Sequence, residues 1–126
     1  MITGAHLLLY SKDPDLDRTF FRDVLELKSI DAGGGWLIFR LPSSEMGIHP
    51  GSGEFAQNHG EFDLVGTVLY FLCDDLNETM ASLQTKGVIC SSTMDAEWGT
   101  ATTVPLPSGG RIGLYQPKHA LALDLP

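Results

Sequence analysis

His6-Leu7-Leu8-Leu9-Tyr10, running into Asp13, and Val68-Leu69-Tyr70-Phe71-Leu72, running into Asp75, are two versions of one phrase. Val68 stands 62 positions after His6, Asp75 stands 62 after Asp13, and Trp98 stands 62 after Trp36. The register then slips by four, so that Met46-Gly47-Ile48-His49-Pro50 is matched by Ile112-Gly113-Leu114-Tyr115-Gln116 at an offset of 66. A chain that says the same thing twice predicts two modules that cannot bury their apolar faces alone and combine around a shared cavity.

Each module is expected to run strand, helix, then three strands. In the first, Asp13 is a helix cap with Pro14 at the first helical position, and Leu16, Phe20, Phe21, Val24 and Leu27 mark one apolar face. In the second, Asp75 with Glu78 three residues on fits a capping box, and Leu76, Met80 and Leu83 form the stripe. Gly87 then stands where a left-handed residue ends a helix, ahead of a strand at Val88-Ile89-Cys90. Further strands are expected at Ser29 to Ala32, Trp36 to Leu41 and Met46 to Pro50, and at Thr100 to Val104 and Arg111 to Gln116 around the turn Pro105 to Gly110. Gly51 to Gly60 is polar and lacks periodicity, as a linker does. The tail after Pro117 suits either a short helix or an edge arm.

Composition bounds the function. With 126 residues, 43% of them hydrophobic, the chain can bury one real core and is too short for two ordinary domains. A formal charge of −8 and eight scattered Lys and Arg residues argue against nucleic acid, which needs clustered cations. No apolar stretch approaches the roughly 20 residues of a spanning helix, and Met1-Ile2-Thr3-Gly4 lacks a signal peptide's basic-then-apolar layout, so a soluble cytoplasmic protein without membrane contact is expected. Cys73 and Cys90 have no CxxC spacing and lie in apolar runs, as buried small hydrophobes do. Asp15, Asp17, Asp23, Asp63, Asp74 and Glu78 fall at helix starts or in loops, where solvation and the helix dipole account for them.

The paired modules, the phrase Thr19-Phe20-Phe21-Arg22-Asp23-Val24-Leu25 and the closing Gly109-Gly110-Arg111-Ile112-Gly113-Leu114-Tyr115-Gln116-Pro117 resemble the vicinal oxygen chelate superfamily, which includes glyoxalase I, extradiol dioxygenases, fosfomycin-modifying enzymes and bleomycin-resistance proteins. The resemblance implies an α+β fold in which two tandem βαβββ modules form a cupped, mostly antiparallel eight-stranded sheet. One domain would span residues 1–126, with module one at about 1–50, a linker at about 51–65, module two at about 66–117 and a tail at 118–126. The resemblance also implies a homodimer, which would cover the apolar edge and face of each open sheet.

In the metal-dependent relatives, ligands come from the first and last strands of each module. Carried over, those places are His6, Gly47, Val68 and Gly113, of which His6 alone can ligate. Shifting the alignment by one residue points to the wrong face of the sheet, and Thr67 or Leu69 would bring no strong ligand. A catalytic zinc site usually needs three protein ligands, so no metal is expected. The alternative is a divalent Zn, Fe, Mn or Ni held by His6 with Glu45 and His49, which share the strand parity of Gly47.

Strand parity also names a cavity lining for a small-molecule ligand: His6 and Tyr10 on the first strand, Tyr70 beside Val68, Tyr115 two after Gly113, and His49. Aromatic walls with few charges suit a planar or apolar molecule whose polar groups are picked out by hydroxyls and an imidazole. His6 is either such a polar contact or a strand histidine satisfied by a neighbour, and Trp36 and Trp98 either rim the cavity or fill the core. His49 leans to a structural or surface role, His59 in the linker more so, and His119 in the tail reads as solvated. Two functions stay open: metal-free binding of a hydrophobic or aromatic ligand in the bleomycin-resistance manner, or a metal-dependent glyoxalase-type lyase or extradiol dioxygenase-like enzyme with an atypical ligand set.

Overall fold

The computed structural model describes residues 1–53 and 55–126; Glu54, in the stretch read as a linker, lies outside the described residues. The described chain forms two compact units, Met1–Arg40 with Pro105–Arg111, and Leu41–Val104 with Ile112–Pro126. None of its helices is long and apolar enough to cross a membrane.

In the first unit, helix α1 spans Pro14–Asp23 and strands β1 (Ser29–Asp31) and β2 (Leu37–Phe39) pair antiparallel, Ile30 opposite Ile38. Asp13 caps α1 by accepting a hydrogen bond from Leu16 N–H at 3.3 Å, and Pro14 costs nothing there because a first-turn N–H has no helical partner. The helix ends at Asp23, short of the expected Leu27. Glu26 sits in the left-handed region at φ 59°, and Leu25 and Leu27 donate their N–H groups back to Phe20 and Phe21 carbonyls, so the chain curls off the helical path. Phe20 and Phe21 are buried, and Phe21 meets Phe39 of β2 at 5.8 Å between ring centres. Trp36 is exposed and not core, with the Arg18 guanidinium 4.6 Å above its ring.

In the second unit, strands β3 (Ala56–His59) and β4 (Phe62–Val65) make a hairpin where a structureless linker was expected. The chain reverses at Gly60, at φ 61°, and Asn58 donates across the ladder to Asp63. Strand β5 (Tyr70–Leu72) then leads to helix α2 (Leu76–Thr85), followed by β6 (Met94–Ala96), β7 (Gly99–Pro105) and β8 (Arg111–Pro117). The sheet order is β5-β8-β7-β6, with β5 parallel to β8 and β6 antiparallel to β7. Asp75 accepts from Glu78 N–H at 3.0 Å. At the other end Val88 N–H reaches Leu83 C=O and Gly87 N–H reaches Gln84 C=O, with Gly87 left-handed at φ 81°. Leu76, Leu83, Val88, Ala101, Val104, Ile112 and Leu114 are the buried apolar residues of this unit.

The described strands stand as two two-stranded sheets and one four-stranded sheet. The first strand expected at His6–Tyr10 and the one at Met46–Pro50 are not paired strands, and Val88–Cys90 is not one either. Pairing resumes just beyond, where Ser91 N–H donates to Thr103 C=O and the buried Thr102 hydroxyl donates to Ser91 C=O at 2.7 Å.

Candidate functional site

Strand β8 presents its two faces to different partners. Gln116 reaches α2 and accepts the Leu76 N–H on Oε1 at 2.9 Å, so Gln116, Leu114 and Ile112 share the helix side of the sheet. Gly113 and Tyr115 therefore point to the opposite face. In register across the parallel pair, Tyr70 stands opposite Gly113. Its ring lies over the glycine: a Cβ on Gly113 would stand 2.7 Å from Tyr70 Cγ and closer still to Cδ1 and Cε1. An aromatic ring laid over a cross-strand glycine fills the gap that the missing side chain leaves.

Tyr115 is the centre of an aromatic group. It meets Tyr70 at 5.3 Å and 89° and Trp98 at 5.5 Å and 79° between ring centres and planes, both edge-to-face arrangements of the kind that the ring quadrupole favours. Gly99, next to Trp98, makes room for it, since a Cβ there would lie 3.2 Å from Tyr115 Cδ2 and 2.6 Å from Gln116 O. Tyr70 and Trp98 remain 42% and 41% exposed, so neither of the matched tryptophans is core and this face offers open ring surface. The Tyr115 hydroxyl bonds His119 Nε2 at 3.1 Å. Burial, and then the negative charge of Glu45, hold the Tyr115 phenol above the ordinary tyrosine value, so it is protonated at neutral pH.

Two residues of the predicted lining meet directly. Tyr70 and Tyr115 come together as strand parity requires, joined by Trp98 and by His119, which is exposed as expected and is also hydrogen-bonded to Tyr115. Tyr10 lies in the first unit, beside a recess of about 250 Å³ lined with Ser11, Lys12, Ser108, Gly109 and Gly110. Beneath these serines is Asp17, 6% exposed, accepting from Ser11 Oγ and Ser108 Oγ at 2.6 Å each and from Ser108 N–H at 3.1 Å. Solvation does not account for Asp17, contrary to expectation; it anchors residues 11 and 108 in one unit. His6 is exposed without a hydrogen bond among the described residues, and His49, also exposed, donates Nδ1–H to its neighbour's carbonyl on Pro50 at 2.6 Å.

The four positions of the metal-dependent pattern do not fit a metal. Gly113 has no room for a ligating side chain while the Tyr70 ring covers it, and Val68 is an exposed aliphatic. Among the described residues no three His, Cys, Asp or Glu side chains gather closely enough to hold an ion. Cys73 and Cys90 are free and half-buried, and burial pushes both thiols above the ordinary value, opposed at Cys73 by a Thr79 hydrogen bond. Neither is poised as a thiolate nucleophile.

No sequence-family profile matches the chain, and no curated protein matches it either. Solved structures do. A lactoylglutathione lyase from Agrobacterium tumefaciens superposes with a TM-score of 0.61 at 16% identity, over 90% of this chain and 92% of that one. TnmS3, an antibiotic binding protein from Streptomyces sp. CB03234, gives 0.59 at 19% identity, over 94% and 100%. A glyoxalase/bleomycin resistance protein from the same Streptomyces gives 0.53 at 19%, over 84% and 93%. At such identities the likeness is one of fold, and by that measure the chain has the vicinal oxygen chelate fold of the glyoxalase and bleomycin-resistance proteins.

Proposed function

We propose that this protein is a metal-free binder of planar aromatic or hydrophobic small molecules, acting in the cytoplasm, with the Tyr70–Tyr115–Trp98 face as its binding surface. The observation that carries this reading is the Tyr70 ring seated over Gly113, which puts an aromatic wall where a metal-dependent relative would project a ligand. The fold shared with an antibiotic binding protein supports it. The alternative, a metal-dependent lyase or dioxygenase-like enzyme, shares its fold with the lactoylglutathione lyase but has to find its ion's donors beyond His6.

The test is a thermal-shift screen of planar aromatic compounds alongside Zn, Fe, Mn and Ni, with metal analysis of protein purified without chelator. A ligand at a hundredfold excess over its dissociation constant should stabilise the fold by about 2.7 kcal/mol. Tyr70→Ala is expected to weaken such binding by roughly 1–3 kcal/mol through lost contact area and stacking. One equivalent of bound metal with His6 among its ligands would overturn the reading in favour of the enzyme.

The same chain is expected to work as a homodimer. Met46, Ile48 and Val68 are almost wholly exposed, and Phe62, Leu64 and Val65 of the β3–β4 hairpin are exposed as well, apolar side chains that a second copy would cover. A two-stranded hairpin is marginal on its own in water, which is a second reason for a cover. Light scattering should give twice 13.7 kDa; a particle of 13.7 kDa at micromolar concentration would refute the dimer.

A further inference from the structure

We infer that His119 sets the hydrogen-bonding sense of the Tyr115 hydroxyl on the aromatic face, so that at this hydroxyl a planar ligand's N–H or O–H donor is accepted while an acceptor alone finds no partner. The inference rests on the binding reading above and names the ligand class of the same site. It starts from the two nitrogens of one ring. His119 Nδ1 lies 2.8 Å from the Ala120 carbonyl oxygen. A carbonyl oxygen can only accept, so Nδ1 carries the proton, and in the neutral ring Nε2 is left with a lone pair. That lone pair faces the Tyr115 hydroxyl at 3.1 Å, so Tyr115 O–H donates to it. The phenol's one proton is thereby committed, and its oxygen offers only lone pairs to anything that approaches the ring face.

The arrangement is held from both sides. The His119 ring lies 6.1 Å from the Tyr115 ring, and Glu45 accepts Ala122 N–H at 2.8 Å, which fixes the tail just beyond His119. Burial and Glu45 together keep the Tyr115 phenol from ionising, so the donated proton stays in place. His119 is thus a positioning residue for Tyr115, acting on the ligand only through the phenol.

Three bicyclic probes of similar shape separate the possibilities: naphthalene without polar groups, indole with a donor, and quinoline with an acceptor. The wild type is expected to bind indole about tenfold more tightly than quinoline, the size of one neutral hydrogen bond. In His119→Ala the phenol proton is released and can turn to quinoline, so the indole-to-quinoline ratio should fall to about one because quinoline binding improves; loss of a merely structural contact would not improve any ligand. Tyr115→Phe should remove the preference altogether. Nitrogen-15 shifts of His119 should report the Nδ1–H tautomer in the free protein. The inference is overturned by the Nε2–H tautomer, by equal wild-type affinities for indole and quinoline, or by a ratio that His119→Ala leaves unchanged. If naphthalene binds while that ratio is flat, only the inference falls; if none of the three binds, the binding reading fails and the inference with it.

Discussion

Asp17→Ala is expected to destabilise the protein by about 3 kcal/mol, because it takes the shared acceptor from two serine hydroxyls and a backbone N–H, and hydrogen bonds to charged groups are each worth roughly 1.5–3 kcal/mol. Asp17→Asn should cost about half as much, since the amide keeps one accepting oxygen and loses the other. Ser108→Ala should cost about 1 kcal/mol, as the Ser108 N–H bond to Oδ1 survives. Chemical denaturation reads all three. A loss below 1 kcal/mol in the alanine variant would show that water replaces the carboxylate, and that the cluster is not what orders this unit.

Gly113→Ala should damage both stability and binding, by about 1–3 kcal/mol in folding, because its methyl group would occupy the space of the Tyr70 ring near its attachment, where the ring cannot swing aside as a flexible chain end could. The displaced ring would also lose its edge-to-face contact with Tyr115. A double-mutant cycle gives the sharper measurement. In a Tyr70→Ala background the added methyl meets no ring, and its cost should drop to within about 0.5 kcal/mol of zero. Equal costs in the two backgrounds would mean that Gly113 is needed for some reason other than Tyr70.

What could be read from the chain was what depends on near neighbours. Asp13-Pro14 and Asp75 with Glu78 and Gly87 announced two helices, and the Pro105 to Gly110 turn announced the β7–β8 hairpin. Tyr70 and Tyr115 meet as strand parity required, since both lie in segments that do form strands. His6, Tyr10 and His49 lie in segments that form no paired strand, because strand pairing is a non-local event that a local apolar pattern does not guarantee. The left-handed Glu26 ended α1 early without the glycine that usually signals such a turn. The β3–β4 hairpin was missed because Ala56–His59 has no apolar alternation, and the alternation of Phe62-Asp63-Leu64 in β4 is too short to announce a strand by itself. Asp17 resembled any first-turn helix carboxylate because its partner Ser108 is 91 residues away, and His119 resembled any tail histidine because its partner is known only once β8 is in place.

The bond between Asp17 and Ser108 also bears on the order in which the protein comes into being during synthesis. The first unit is assembled from residues 1–40 and 105–111, so its early segment leaves the ribosome long before the piece that completes it. Until Ser108 emerges, the Asp17 carboxylate lacks two of its three donors, and α1 waits with that side exposed to solvent. The first unit therefore cannot be completed until the chain has been made 91 residues past Asp17.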